Sequence, residues 1–212
     1  RKRISMYIPD HYENKNQEEL IHFINENPFG IIVVQGENAP VASHIPFMVK
    51  GSSKDGYHLV GHLSKKNQIA QLIKNALPVL VIFNGPQHYI SSSWYKQEEV
   101  PTWNYIAVHA YGSIAIQSDK GLVDSLHELV AKHEKHEKNP VDLKKMRPET
   151  INQYKGIIGF TISIDRLEGA YKLSQTRKED HQSIESELAQ KDNFQATEIS
   201  KAMGKVNHTP SK

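Results

Sequence analysis

YISSSWYKQEEVPTWNYIAVHAYG, residues Tyr89 to Gly112, contains both tryptophans of the chain, Trp94 and Trp103, four of its nine tyrosines and a run of three serines. Aromatic side chains at this density suit a sheet interior, but indole N–H and phenol O–H groups need polar partners once they are buried. The plain reading is that they pack a barrel and a dimer seam. Hydroxyls and amides in the same stretch, Ser91, Ser92, Ser93, Thr102 and Asn104, favour a ligand with a flat ring and polar edges.

The elements around this stretch set its context. Upstream, NQEELIHFINEN (Asn16 to Asn27) places Leu20, Ile21, Phe23 and Ile24 on one helical face, with acids in the first turn where the helix dipole favours them. FGIIVVQG (Phe29 to Gly36), PVASHIPFMVKG (Pro40 to Gly51) and GYHLVGHLS (Gly56 to Ser64) read as three strands, the last two joined by a turn containing Asp-Gly. Ser64 is expected to cap a helix over KKNQIAQLIKNAL that stops at Pro78. VLVIFNG (Val79 to Gly85) reads as a buried strand, and two further strands are expected on either side of KQEEVP. Six strands with one inserted helix suggest a closed or nearly closed antiparallel barrel, which removes exposed edges.

Beyond Ser118 the pattern becomes helical through DKGLVDSLHELVAKHEKHEKNP, with Leu122, Leu126, Leu129 and Val130 inward. A short helix follows at RPETINQYKG, then an alternating strand IIGFTISIDRLEG (Ile157 to Gly169) and another helix after KLSQTR. These elements read as one domain over residues 6–190, with leader residues 1–5 and a polar C-terminal tail, 191–212, that is either disordered or a docked helix. The fold class is therefore α+β: mainly antiparallel β with peripheral helices.

Composition narrows the function classes. At 212 residues, 38% hydrophobic and 24% charged, the chain is ordinary for a globular protein, and it holds no apolar run near the roughly 18 residues of a membrane span. Its net charge of +2 is too balanced to announce a nucleic-acid surface. Direct DNA binding is therefore expected to be weak, with LKKMRP (Leu143 to Pro148) the first place to look. The absence of cysteine removes disulfides, thiolate chemistry and Cys-ligated metals, and suits a reducing cytoplasm.

Three sets of residues could hold a ligand. His62, Ser64, Lys66 and Asn67 lie where a strand gives way to a helix start, a place that offers backbone N–H groups, a hydroxyl and an ammonium to a phosphate. A capping serine beside two solvated lysines is the commoner meaning of such a run. The second set is the opening stretch, and the third is KLSQTR, Lys172 to Arg177. The histidines of HELVAKHEKHEKNP do not follow a zinc pattern: His127 and His133 are six apart, about 120° from one another around a helix. No nucleophile elbow, Walker loop or dinucleotide glycine loop is present, and no catalytic residue is assigned.

MYIPDHY, PFGIIV, GHLSKKN, FNGPQHYISSSWY, VPTWNYIAVHAYG, GIIGFTISIDRLEG and KLSQ, in this order over about residues 6 to 190, together resemble the PaiB-type family of FMN-binding negative transcriptional regulators, also called protease synthase and sporulation negative regulatory proteins. Where that family commonly has proline before the serine of SWY, this chain has Ser92. The resemblance implies an FMN-binding split β-barrel and a homodimer with the flavin at its interface. It also implies that His62, Ser64, Lys66 and Asn67 hold the phosphate, with Ser92, Ser93, Thr102, Asn104, Lys172 and Gln175 around the ring system. A regulator that represses protease synthesis and sporulation, and whose DNA contact the charge pattern does not support, is the leading expectation. An FMN-dependent oxidoreductase acting on a small substrate is the alternative, and a flavin-free dimeric scaffold is a third.

Overall fold

The computed structural model describes residues 5–73 and 76–207. The β-branched and aliphatic runs of the sequence become eight strands: β1 (Glu13–Asn14), β2 (Phe29–Gln35), β3 (Pro40–Pro46), β4 (Met48–Ser52), β5 (Gly56–Ser64), β6 (Leu77–Ile90), β7 (Thr102–Ile116) and β8 (Ile157–Lys172). Six α-helices accompany them: α1 (Gln17–Glu26), α2 (Gln68–Leu72), α3 (Asp119–Glu134), α4 (Pro148–Ile151), α5 (His181–Ala189) and α6 (Phe194–Asn207). The strands form one antiparallel sheet in the order β3-β2-β6-β7-β8-β5-β4, and β1 pairs with the end of β8. Among the described residues no helix is long and apolar enough to cross a membrane.

The chain divides into two compact units. The larger comprises Ile24–Phe83 and Ala110–Leu167. Its core is a cluster of three fully buried phenylalanines. The ring of Phe47 lies 5.6 Å from that of Phe83 and 6.4 Å from that of Phe160, both edge-on. Two glycines make room for these rings: a Cβ on Gly30 would lie 2.7 Å from Phe83, and one on Gly61 3.1 Å from Phe160. Helix α3 sits on this unit through Leu122, and Ser118 caps its first turn by accepting from the Gly121 N–H.

The second unit is assembled from residues 1–23, Asn84–His109 and 168–212. Leu20, Ile21 and Phe23 of α1, Ile90, Ile106 and Val108 of the strands, and Ile184, Leu188, Ile199 and Met203 of the C-terminal helices are buried in it. Helices α5 and α6 pack on one another. Of the two readings of the tail, the structure has the helix: Ala196, Ile199 and Met203 recur at helical spacing and are fully buried. Residues 1–4 of the expected leader and 208–212 of the tail lie outside the described residues.

Several local readings change. The helix after β5 is only Gln68–Leu72, because Leu77 joins β6 and Ile73 is already extended; Lys74 and Asn75 of the expected helix lie outside the described residues. Tertiary pairing overrides the helical spacing here. Asn67, not Ser64, caps that helix, accepting from the Ile69 N–H. Pro78 sits inside β6 and does not end a helix. The expected strand Pro40 to Gly51 is broken at Phe47, whose side chain turns into the core. Trp94 lies in a single 3-10 turn, Ser92–Trp94, because the Ser91 hydroxyl accepts from the Ser93 N–H and stops β6 at Ile90. Helix α3 ends at Glu134, well before Pro140, and Leu126, Leu129 and Val130 are only half-buried.

At Gly112 of β7 an added Cβ would lie 2.0 Å from the Ser163 carbonyl oxygen of β8 and 2.9 Å from Ile162. Since backbone cannot move aside as a side-chain tip does, Gly112→Ala is expected to destabilise the protein by about 3 kcal/mol. Thermal melting should then shift down by roughly 6–12 °C. An unchanged melting temperature would mean that β7 and β8 do not approach so closely.

Candidate functional site

Strand alternation sorts the aromatic stretch into two faces. Asn104 is fully buried, whereas its neighbour Trp103 is 49% exposed, because successive strand residues point to opposite sides. On the buried side Asn104 Nδ2 donates to Ser174 Oγ at 2.9 Å, and Ser174 Oγ returns a bond to Asn104 Oδ1 at 3.2 Å. The same Nδ2 lies 3.6 Å from Met203 Sδ. Ser174 itself is held at φ +60°, a left-handed conformation uncommon for a residue with a Cβ. Two polar ties secure it: the Asn104 amide, and His181 Nε2, which donates to the Ser174 carbonyl at 2.7 Å.

The rest of KLSQTR is fixed in the same region. Lys172 Nζ donates to Thr102 Oγ1 at 2.6 Å, with the Tyr12 ring 5.7 Å away. Gln175 accepts from the Leu173 N–H at 2.8 Å and donates to the Tyr171 carbonyl, so both ends of its amide are engaged. Arg177 lies 4.4 Å over the Tyr95 ring and pairs with Glu99 at 2.9 Å, while buried Asp180 accepts from the Lys96 N–H at 2.9 Å. Together these contacts clasp the 95–101 loop to the segment that follows β8. Burial pushes the Tyr95 phenol above its ordinary value, with Arg177 opposing, and Arg177 holds the Glu99 carboxyl below the usual range.

On the exposed side Trp103 Nε1 donates to Gln87 Oε1 at 2.5 Å, and the Tyr89 ring stands edge-on to the indole at 6.0 Å. Gln87 and Gln195 escaped the sequence reading because their importance lies in long-range pairing: the Gln87 N–H donates to Gln195 Oε1 at 3.0 Å across 108 residues. Asp180 escaped it for the same reason, since its partner Lys96 lies 84 residues away. The helical spacing of Ala196, Ile199 and Met203 was the one available signal that the tail docks.

The expected phosphate set lies in the larger unit. Ser64 Oγ accepts from the Lys66 N–H at 3.2 Å, and the Asn67 amide also donates to Ser43 Oγ at 2.9 Å, so Ser64 and Asn67 shape a turn that leaves Lys65 and Lys66 exposed. His62 is half-buried, and burial holds its imidazole below the ordinary value. Ser92 is half-buried and Ser93 exposed; Ser91 and Ser93 share a 2.8 Å hydroxyl contact. The expected residues thus fall in two places: His62, Ser64, Lys66 and Asn67 in the larger unit, the others in the second.

These donor sets fit a flavin. Exposed ammonium groups beside a turn suit its phosphate, and the exposed indole and phenol faces suit its ring. Two buried polar atoms of the second unit, Tyr95 Oη and His181 Nδ1, have no hydrogen-bond partner among the described residues. Both belong to residues adjacent in sequence to the Lys96–Asp180 tie. Among the described residues no cluster of three or more His, Asp or Glu could hold a metal ion.

Comparison with known proteins gives the family and the fold. The sequence profile of the "Putative FMN-binding domain" family matches residues 6–166. "Protease synthase and sporulation protein PAI 2" of Bacillus subtilis is 39% identical over 202 residues, covering 93% of this chain and 96% of that protein. An uncharacterised protein of Emericella nidulans is 31% identical over 80% of this chain and 84% of its own length. The fold is shared with the FAD and heme binding protein of Mycobacterium smegmatis (TM-score 0.59, 16% identity, 76% of this chain and 73% of that one). It is shared too with the flavocytochrome Anf3 of Azotobacter vinelandii (TM-score 0.60, 12% identity, 78% and 72%). The antiparallel α+β fold is that of the flavin-binding split barrels. The chain belongs to the PaiB-type family of FMN-binding-domain proteins.

His62 and His109 are both held below the ordinary histidine value of 6.5 by burial; at His109 the nearby Glu168 carboxylate acts the other way. A depressed histidine binds fewer protons folded than unfolded, so its contribution to stability is complete above the ordinary value and is lost as pH falls through the folded one. Urea midpoints are expected to decline between about pH 7 and pH 5. The decline should be shallower in the His62→Gln/His109→Gln double variant; equal slopes would remove both histidines from the acid response.

Proposed function

We propose that the protein binds FMN and acts in the cytoplasm as a negative regulator of protease synthesis and sporulation functions. The observation that carries this reading is the end-to-end similarity to the Bacillus subtilis protein, whose name joins those two processes. The cysteine-free sequence supports a reducing compartment. With a net charge of +2, regulation through a bound small molecule is better supported than a broad electrostatic grip on DNA.

In this reading His62, Ser64, Lys66 and Asn67 serve the flavin phosphate, with Lys66 as the exposed cation. Ser92, Ser93, Thr102 and Lys172 supply polar groups to the ring system, while Asn104 and Gln175, whose amides are engaged within the protein, hold those groups in place from behind. Bound FMN supplies a redox-active ring whose state a regulator can report. The functional form is a homodimer with the flavin at the interface; light scattering at micromolar concentration is expected to give twice the 24.1 kDa chain mass, and a monomer would remove the interface from the proposal.

Lys66→Ala tests the phosphate assignment. A charge-assisted bond to phosphate is worth about 1.5–3 kcal/mol, so the variant should weaken FMN binding on the order of 30-fold in a fluorescence titration. Riboflavin, which lacks the phosphate, should bind both forms alike. Equal losses for FMN and riboflavin, or none, would move the phosphate to Lys172 or Arg177.

A further inference from the structure

The exposed face around Trp103 has a donor pattern that chemistry alone fixes. Indole Nε1–H and a backbone N–H can only donate, so the Gln87 and Gln195 atoms that receive them, at 2.5 and 3.0 Å, are the amide oxygens. Each glutamine therefore keeps its –NH2 group, and among the described residues neither has a partner. The Gln87 amide is held at the Trp103 indole and the Gln195 amide at the Gln87 backbone, so both lie around Gln87, two residues from Tyr89 on β6; Trp103 and Tyr89 are 49% and 44% exposed. Phe194, adjacent to Gln195 at the start of α6, is 75% exposed.

Flat apolar area with amide donors along one side matches a planar heteroaromatic ring whose edge carries carbonyl acceptors. The pyrimidine edge of an isoalloxazine is of this kind, with two carbonyl oxygens. A purely apolar partner would leave the glutamine donors desolvated and unpaired, at a cost comparable to a lost hydrogen bond. We propose that the Trp103 indole is the stacking platform for the flavin ring, with Tyr89 edge-on at its side, and that the Gln87 and Gln195 amide groups read its carbonyl edge. This deepens the flavin reading and rests on it. Asn104, behind the platform on the same strand, sets the position of Trp103 without touching the ring.

The test uses the full chain and three ligands sharing one ring: FMN, riboflavin and lumiflavin, which has neither ribityl chain nor phosphate. Kd is read from quenching of flavin emission. Trp103→Ala is expected to weaken all three by a similar factor of ten or more, as loss of an aromatic stacking partner does, whereas Lys66→Ala affects FMN alone. Trp103→Phe, which keeps a flat face, should stay within about threefold of the parent. Gln195→Glu, which turns a donor into an anionic acceptor at the surface, should weaken all three ligands as well, and it decides the matter should Trp103→Ala fail to fold. Normal riboflavin and lumiflavin affinity in folded Trp103→Ala and Gln195→Glu, with FMN still bound by the parent, would overturn the platform and leave the flavin reading intact. No uptake of any of the three by the parent protein would overturn both.

Discussion

A fully buried amide has to be satisfied from within the protein, and Asn104 is the point at which the second unit meets that demand. Its donors and acceptor reach Ser174 after β8 and Met203 in α6, so one side chain of β7 couples two segments that arrive much later in the chain. An unpaired amide at this depth would cost on the order of 1–3 kcal/mol. The left-handed backbone of Ser174 is the price of the geometry, and His181 helps to hold it.

The loops that follow from this arrangement are pinned from several directions. Arg177 covers Tyr95 and pairs with Glu99, and Asp180 receives the Lys96 N–H. The exposed ion pair by itself contributes little, since water screens it, but the buried acceptor Asp180 fixes the backbone of the loop directly. The segment carrying three serines and a tryptophan is therefore an ordered surface with one stiff edge. A binding residue placed on it needs little further ordering when a ligand arrives.

Periodicity revealed most of the architecture because the strands bury one face against a core: the alternation of Phe160 and Ile162 with Thr161 and Ser163 can be satisfied in only one way. It failed where a residue had two uses. Leu77 fits the helical spacing of Ile69 and Ile73, yet pairing in β6 takes it; Trp94 fits a strand, yet the Ser91 hydroxyl turns the chain just before it. The site was legible as a composition, aromatics with hydroxyls and amides, but not as a geometry. Asn104 and Trp103 are adjacent letters that end on opposite faces, and Gln195, which accepts from the Gln87 N–H, lies 108 residues from it in the chain. No local pattern encodes such a meeting.

The order of synthesis acts on the two units differently. The second unit draws its first segment from the start of the chain and its last from the end; Met6 N–H reaches the Glu168 carboxylate, and Asn104 waits for Met203. On a ribosome helix α1 emerges with Leu20, Ile21 and Phe23 exposed; Phe23 can meet Gly85 early, but the contacts to Gly169 and Tyr171 form only after β8 is made. At about 5–20 residues per second, the interval from Phe23 to Tyr171 lasts on the order of seven to thirty seconds. During it the apolar face of α1 is open to chaperones, and a ribosome stalled before α6 would release a chain in which Asn104 has lost one of its contacts.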